Sequence, residues 1–230
     1  MQRRHLLAAL PAVAIARRAV AGQQPLVVEL FTSQSCNSCP PADALLLELI
    51  RDRPDVLALS YHVTYWDRLG WRDRFSLPAA TERQRRYAGL LREGRYPGQV
   101  YTPQLIVQGR RDAIGSDRPS VMAELRNASA ASGPELRVTA RDAALTIEVA
   151  AGSGLGNLVL VGFDPHHTTE IRSGENGGRR LAYGNVVRSI TPLGQWQGAA
   201  LRQQATKGAG ERAAVLLQSP DGAILAAATA

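Results

Sequence analysis

The residues in this chain best suited to chemistry are its two cysteines, Cys36 and Cys39, spaced C-x-x-C. Two thiols at this spacing can interconvert between dithiol and disulfide, and the thiolate is the attacking form in such exchange. Residues 26–31 read as a strand and 40–51 as a helix, with Pro40 and Pro41 suited to its first turn. The pair therefore falls between a strand and a helix N-terminus, where backbone N–H groups and the helix dipole stabilise a thiolate. Cys36 is the expected nucleophile and Cys39, one turn in, the resolving thiol. Other uses of the pair stand beside this one. A structural disulfide closing so short a loop contributes little stability through chain entropy. A four-cysteine zinc site is excluded within one chain. A copper site of two thiolates completed by a histidine stays open.

The elements that must position the pair alternate in type. Residues 56–63 form a second apolar strand, 78–91 a helix, 104–108 and 113–114 two strands around Gly109-Arg110-Arg111, and 117–127 a last helix. Strand, helix, strand, helix, strand, strand, helix implies parallel pairing under helices on both faces, closed by a hairpin. This is the minimal thioredoxin arrangement, an α/β fold. After Gly133-Pro134 the pattern changes to six strand-like runs separated by turns rich in Gly and Asn. The expected architecture is thus a thioredoxin-like domain over 26–131, followed by a small all-β, sandwich-like domain over 135–230.

In that frame Thr102-Pro103, just before the third strand, is the place of a cis-proline facing the C-x-x-C and holding a substrate chain extended; an ordinary trans proline starting a strand is the plainer alternative. Glu29, on the strand leading to Cys36, is a candidate proton acceptor for the resolving cysteine. Its spacing differs by one residue from that of thioredoxins, which turns a regular strand's side chain to the other face and favours a paired structural acid. His62 ends the second strand, where it could tune Cys36 or complete a copper site, or serve as a hydrogen-bonded core histidine. Tyr65, Trp66 and Trp71 crowd the long loop that follows, and Trp66 is a candidate for substrate binding. Gly152-Ser153-Gly154-Leu155-Gly156 has no following helix and reads as a hairpin turn. His166-His167, in a polar loop, are poorly placed to share one metal.

The stretches Val28-Glu29-Leu30-Phe31-Thr32-Ser33-Gln34-Ser35-Cys36-Asn37-Ser38-Cys39-Pro40-Pro41-Ala42-Asp43, Tyr61-His62-Val63-Thr64-Tyr65-Trp66-Asp67 and Val100-Tyr101-Thr102-Pro103-Gln104 resemble a bacterial family of secreted thioredoxin-like proteins of unknown function. Gly174-Glu175-Asn176-Gly177-Gly178 and Asn185-Val186-Val187-Arg188 are similar too, so the resemblance spans nearly all of the chain beyond residue 21. It implies the fold and export, and no particular substrate. Ser35 stands where many members have glycine, and Thr64 where many have an acidic residue.

Export is also legible in the N-terminus itself. Met1-Gln2-Arg3-Arg4-His5 is a short basic head, residues 6–16 carry no charge, and Ala19-Val20-Ala21 offers small residues to a signal peptidase. Arg3-Arg4 partly matches a twin-arginine signal. The apolar run is too short to span a bilayer, so no transmembrane segment is expected after removal of 1–21. With the leader go Arg3, Arg4, Arg17 and Arg18, leaving 23 basic against 20 acidic residues. That small excess, without a basic stripe interleaved with aromatics, argues against nucleic acid. No G-x-S-x-G or H-E-x-x-H occurs. The reading is an exported, periplasmic or secreted thiol–disulfide oxidoreductase needing no cofactor, whose partners are protein thiols or disulfides and a redox-recycling protein. A copper-handling protein and a non-catalytic binding module are the alternatives.

Overall fold

The computed structural model describes residues 24–91 and 94–230. The expected leader over 1–21 lies outside the described residues. Unbroken apolar runs make β1 (Leu26–Thr32) and β2 (Val56–His62), both buried along their whole length, as strands covered on two faces must be. They pair in parallel with Thr32 opposite His62. Between them α1 (Pro40–Asp52) opens on two prolines, whose missing N–H groups cost nothing in a first turn. Its Ala42, Leu45, Leu46 and Leu49 pack on Val28, Leu30 and Ala58. α2 (Pro78–Leu90) covers the opposite face, where Ala80 and Tyr87 meet Phe31, Leu59 and Tyr61. β3 (Gln104–Val107) runs antiparallel to β1, and β4 (Arg111–Ile114) antiparallel to β3. α3 (Arg118–Asn127) follows, capped by the Asp117 carboxylate, which accepts from the Ser120 N–H.

The second half supplies β5 (Leu136–Arg141), β6 (Ala144–Val149), β7 (Gly156–Glu170), β8 (Arg180–Trp196), β9 (Leu201–Thr206), β10 (Arg212–Gln218) and β11 (Ile224–Thr229). Here the expected fold class is overturned: the chain is not a thioredoxin-like α/β fold followed by a β domain. β8 pairs in parallel with β2 at Ser60 and Val186. That joint places strands of both halves in one mixed sheet of eight, ordered β11-β10-β7-β8-β2-β1-β3-β4. One core runs across the joint, with Leu57, Leu59 and Tyr61 in the same cluster as Val159, Val161, Phe163 and Leu216. With three helices against eleven strands among the described residues, the molecule is mostly β. Periodicity identifies a strand but not its neighbour, and a pairing between residues 60 and 186 leaves no local trace in the sequence.

The remaining strands, β5, β6 and β9, form a separate three-stranded sheet. Its Leu136, Leu145 and Ile147 pack on Leu158, Leu160, Val215 and Leu217, the residues of β7 and β10 that alternate with those facing α2. Among the described residues, seven strands stand in the second half where six runs are expected; the weakest in apolar pattern is β9, an edge strand with every second residue exposed. β7 also extends through the loop expected at His166-His167. Pro165, His166 and His167 belong to the strand, and β10 pairs with β7 only as far as Phe163. Beyond that point β7 has an open edge, where a proline is tolerated.

Candidate functional site

Cys36 and Cys39 form a disulfide, with S–S 2.14 Å, Cα–Cα 5.4 Å and a dihedral of 86°. Both residues are fully buried, while Asn37 and Ser38 between them are exposed. Cys39 is the N-cap of α1, and its carbonyl accepts from the N–H groups of Ala42 and Asp43. Pro40 and Pro41 carry no N–H, so the dipole of α1 acts here with fewer free donors than an ordinary first turn supplies.

One helical turn after Cys39, on the same face of α1, stands Asp43. It is buried, and neither carboxyl oxygen has a hydrogen-bond partner among the described residues. Burial lifts its pKa to about 7, against the opposing pull of His62. The register of β1 and β2 sets Thr32 beside His62 on the α1 face. His62 Nδ1 lies 2.6 Å from the Asp73 carboxylate, and its Nε2 has no partner among the described residues. Burial opposes charge on His62, but Asp73 outweighs it and the His62 pKa is raised. Burial likewise pushes Asp73 up, but His62 and the N–H groups of Gln34 and Phe75 bring it below the ordinary carboxylate range. Tyr183 and Phe75 stand edge-on to the imidazole at 5.0 and 5.4 Å. Three ionisable side chains and a tyrosine thus lie buried together next to the first turn of α1.

A third element seals the pair. The turn joining β7 to β8 brings Asn176, fully buried, onto the cysteine loop. Its amide donates to the carbonyls of Gln34 and Cys36, both at 2.9 Å. The neighbouring Glu175 carboxylate accepts from the Asn37 N–H at 3.1 Å. Gly174 makes the turn, at φ +75°, where a Cβ would lie 3.1 Å from the Cβ of Trp71. From the other side, the loop between β2 and α2 anchors the same segment. The Ser35 hydroxyl donates to the Trp71 carbonyl at 2.5 Å, and the Trp71 indole donates to the Gln34 side chain at 2.9 Å.

Residues 27–218, most of the chain, match the family model described as "Protein of unknown function (DUF1223)". The chain belongs to that family. A DUF1223 chain of this kind is similar to the crystal structure of protein AGR_C_4864 from Agrobacterium tumefaciens, with 32% identity and a TM-score of 0.75 over 91% of this chain and 95% of that one. It also resembles HBP35 of Porphyromonas gingivalis, at 15% identity and a TM-score of 0.59 over 90% and 75% of the two chains, a likeness of fold alone. No curated protein matches it. The family resemblance drawn from the sequence therefore holds as membership of a family of unknown function, and the match carries no activity with it.

The residues singled out from the DUF1223 sequence separate into two groups. Cys36, Cys39 and His62 lie on the α1 side of the sheet. Pro103 comes near the same end of α1, because Gly115 fits between them: a Cβ there would be 3.1 Å from Ala42 and 3.3 Å from Pro103. The Thr102–Pro103 bond is cis, and the Trp66 indole donates to the Thr102 hydroxyl at 2.8 Å. Glu29 stands apart. It shares the α2 face with Val27 and Phe31 and binds Arg83 through both oxygens, at 2.5 and 3.0 Å, with Tyr87 donating to it as well. Its carboxylate is fully engaged there, a structural ion pair across the sheet from the cysteines. Three further residues of the site, Asp43, Asp73 and Asn176, are given no role by the sequence patterns above. Asp43 is legible as an acid one turn after Cys39; Asn176 is not legible, since 140 residues separate it from Cys36. Among the described residues no three His, Cys, Asp or Glu side chains are grouped to hold a metal, and no helix is long and apolar enough to cross a membrane.

Proposed function

We propose that this protein carries out thiol–disulfide exchange on protein thiols, with Cys36 attacking and Cys39 resolving. The observation that carries the reading is the C-x-x-C disulfide at the start of α1 with an unpartnered buried carboxyl group one turn away. In the reducing direction the Cys36 thiolate attacks one sulfur of a substrate disulfide, forming a mixed disulfide and releasing the first substrate thiolate. Cys39 then gives its proton to Asp43 and attacks the Cys36 sulfur. The second substrate thiolate leaves, the Cys36–Cys39 bond forms, and two electrons have passed to the substrate. The reverse sequence oxidises a substrate dithiol. Asp43, with its pKa near 7, suits a group that accepts and returns a proton at neutral pH. Thr102, cis-Pro103 and Trp66 are proposed to hold the substrate chain. The leader-like residues 1–21 support export to the periplasm or beyond, where disulfides persist.

Cys36→Ser is expected to abolish exchange, and Cys39→Ser to trap mixed disulfides that non-reducing gels and mass spectrometry resolve. Full exchange by the Cys36 variant refutes the reading. Burial of both cysteines favours a second one, a binding module whose disulfide only braces the loop. Equilibration in glutathione buffers with mass counting of alkylated thiols separates the two. A potential within about −270 to −120 mV supports exchange, whereas one below about −300 mV supports the bracing role.

A further inference from the structure

Beside the cysteine loop lies a cleft of about 600 Å³ between the loop carrying Trp71, Arg72 and Arg74 and the end of β7 at residues 168–170. Arg172 and Arg180 complete its wall, so four arginines face one glutamate, Glu170. All four are exposed, and among the described residues none of them is in an ion pair. Like charges gathered on one concave surface repel one another, and a bound anion relieves this. The cleft also has a direction. Over residues 166–170 β7 pairs with β8 on one side only, since β10 has already ended, so backbone donors and acceptors on the other edge are unspent. Its floor is tied to the cysteine loop through Gln34: Trp71 and Thr169, both lining it, hold the side chain of that residue, two before Cys36.

We infer that this cleft binds an extended acidic segment of a polypeptide partner of the cysteine pair, an assignment that rests on the exchange reading for the word "partner" alone. Aspartate and glutamate side chains meet the arginines, which bind carboxylates through paired N–H groups. The segment's backbone adds to the open edge of β7, a mode of recognition only a polypeptide can satisfy. A nucleic acid or an anionic membrane would meet the charge but leave that edge unpaired.

The test uses a fluorescent, cysteine-free peptide of alternating Asp or Glu and Val or Thr, titrated by anisotropy into the oxidised full chain. Binding is expected to weaken steeply with salt, to be absent for the Asn/Gln peptide of equal length, and to fall roughly tenfold in an Arg72→Gln/Arg180→Gln variant of unchanged melting temperature. N-methylation of alternate peptide amides is expected to abolish it. Wild-type affinity in the arginine variant overturns the inference, as does indifference to N-methylation. Equal affinity for an oligonucleotide or for phosphatidylglycerol vesicles overturns the commitment to a polypeptide. A parent protein that binds the peptide but exchanges no thiols leaves the cleft standing without the redox reading. A protein that exchanges thiols but ignores the peptide removes the cleft alone.

Discussion

At Asp43 a carboxyl group is buried, without a hydrogen-bond partner among the described residues, one turn from a cysteine. Below about pH 4 it is protonated in the folded and the unfolded chain alike. As pH rises, the unfolded chain ionises first, so folded stability falls until the folded group itself ionises near 7. Asp43→Asn removes this slope. Relative to the parent, the variant should gain stability between pH 4 and pH 8, on the order of a few kcal/mol, while His62, Asp73 and Tyr183 around it stay in place. Urea unfolding at both pH values measures the gap, and an equal gap at the two refutes the assignment. His62 is a buried, hydrogen-bonded histidine. What the sequence hid was its partner, because Asp73 comes from the far end of the loop after β2 and nothing in the string fixes where that loop returns.

The hairpin of β7 and β8 is the element whose turn is tied to the cysteine loop. Its Asn176 amide satisfies two carbonyls of the cysteine loop, and removing a buried donor of this kind costs roughly 1–3 kcal/mol. Asn176→Ala should therefore speed reduction of the Cys36–Cys39 bond by dithiothreitol, by about tenfold or more, with the global fold retained. A rate equal to the parent's means that the tip does not limit access. Gly174-Glu175-Asn176-Gly177-Gly178 is readable in advance as a turn, since Gly and Asn tolerate positive φ. What the turn covers is not readable, because it is fixed by β8 reaching β2. By contrast, β1, α1 and the place of the cysteines between them follow from apolar runs and prolines that act within a few residues.

Across the whole molecule, the sequence located nearly every strand of the large sheet and missed that the strands belong to one sheet. The apolar run Leu158-Val159-Leu160-Val161-Gly162-Phe163 is plain in the string, but the contact of Val159, Val161 and Phe163 with Leu59 and Tyr61 arises only once β8 docks on β2. A chain ending at residue 131 would expose that face of β2 and α2, and it should lose cooperative thermal unfolding, monitored by circular dichroism; a sharp transition near the parent's would show that the first half needs no partner. The same joint ties the arginine cleft to the disulfide, since Arg172 and Arg180 flank the turn whose Asn176 holds the Cys36 carbonyl. Ligand occupancy and oxidation state are then linked variables, and linkage runs equally in both directions. A segment that binds more tightly when the turn has lifted raises the reduction potential of the pair. Reduction of the pair, by the same free energy, tightens the segment's hold, so the cleft's affinity would report the oxidation state of a disulfide it does not touch.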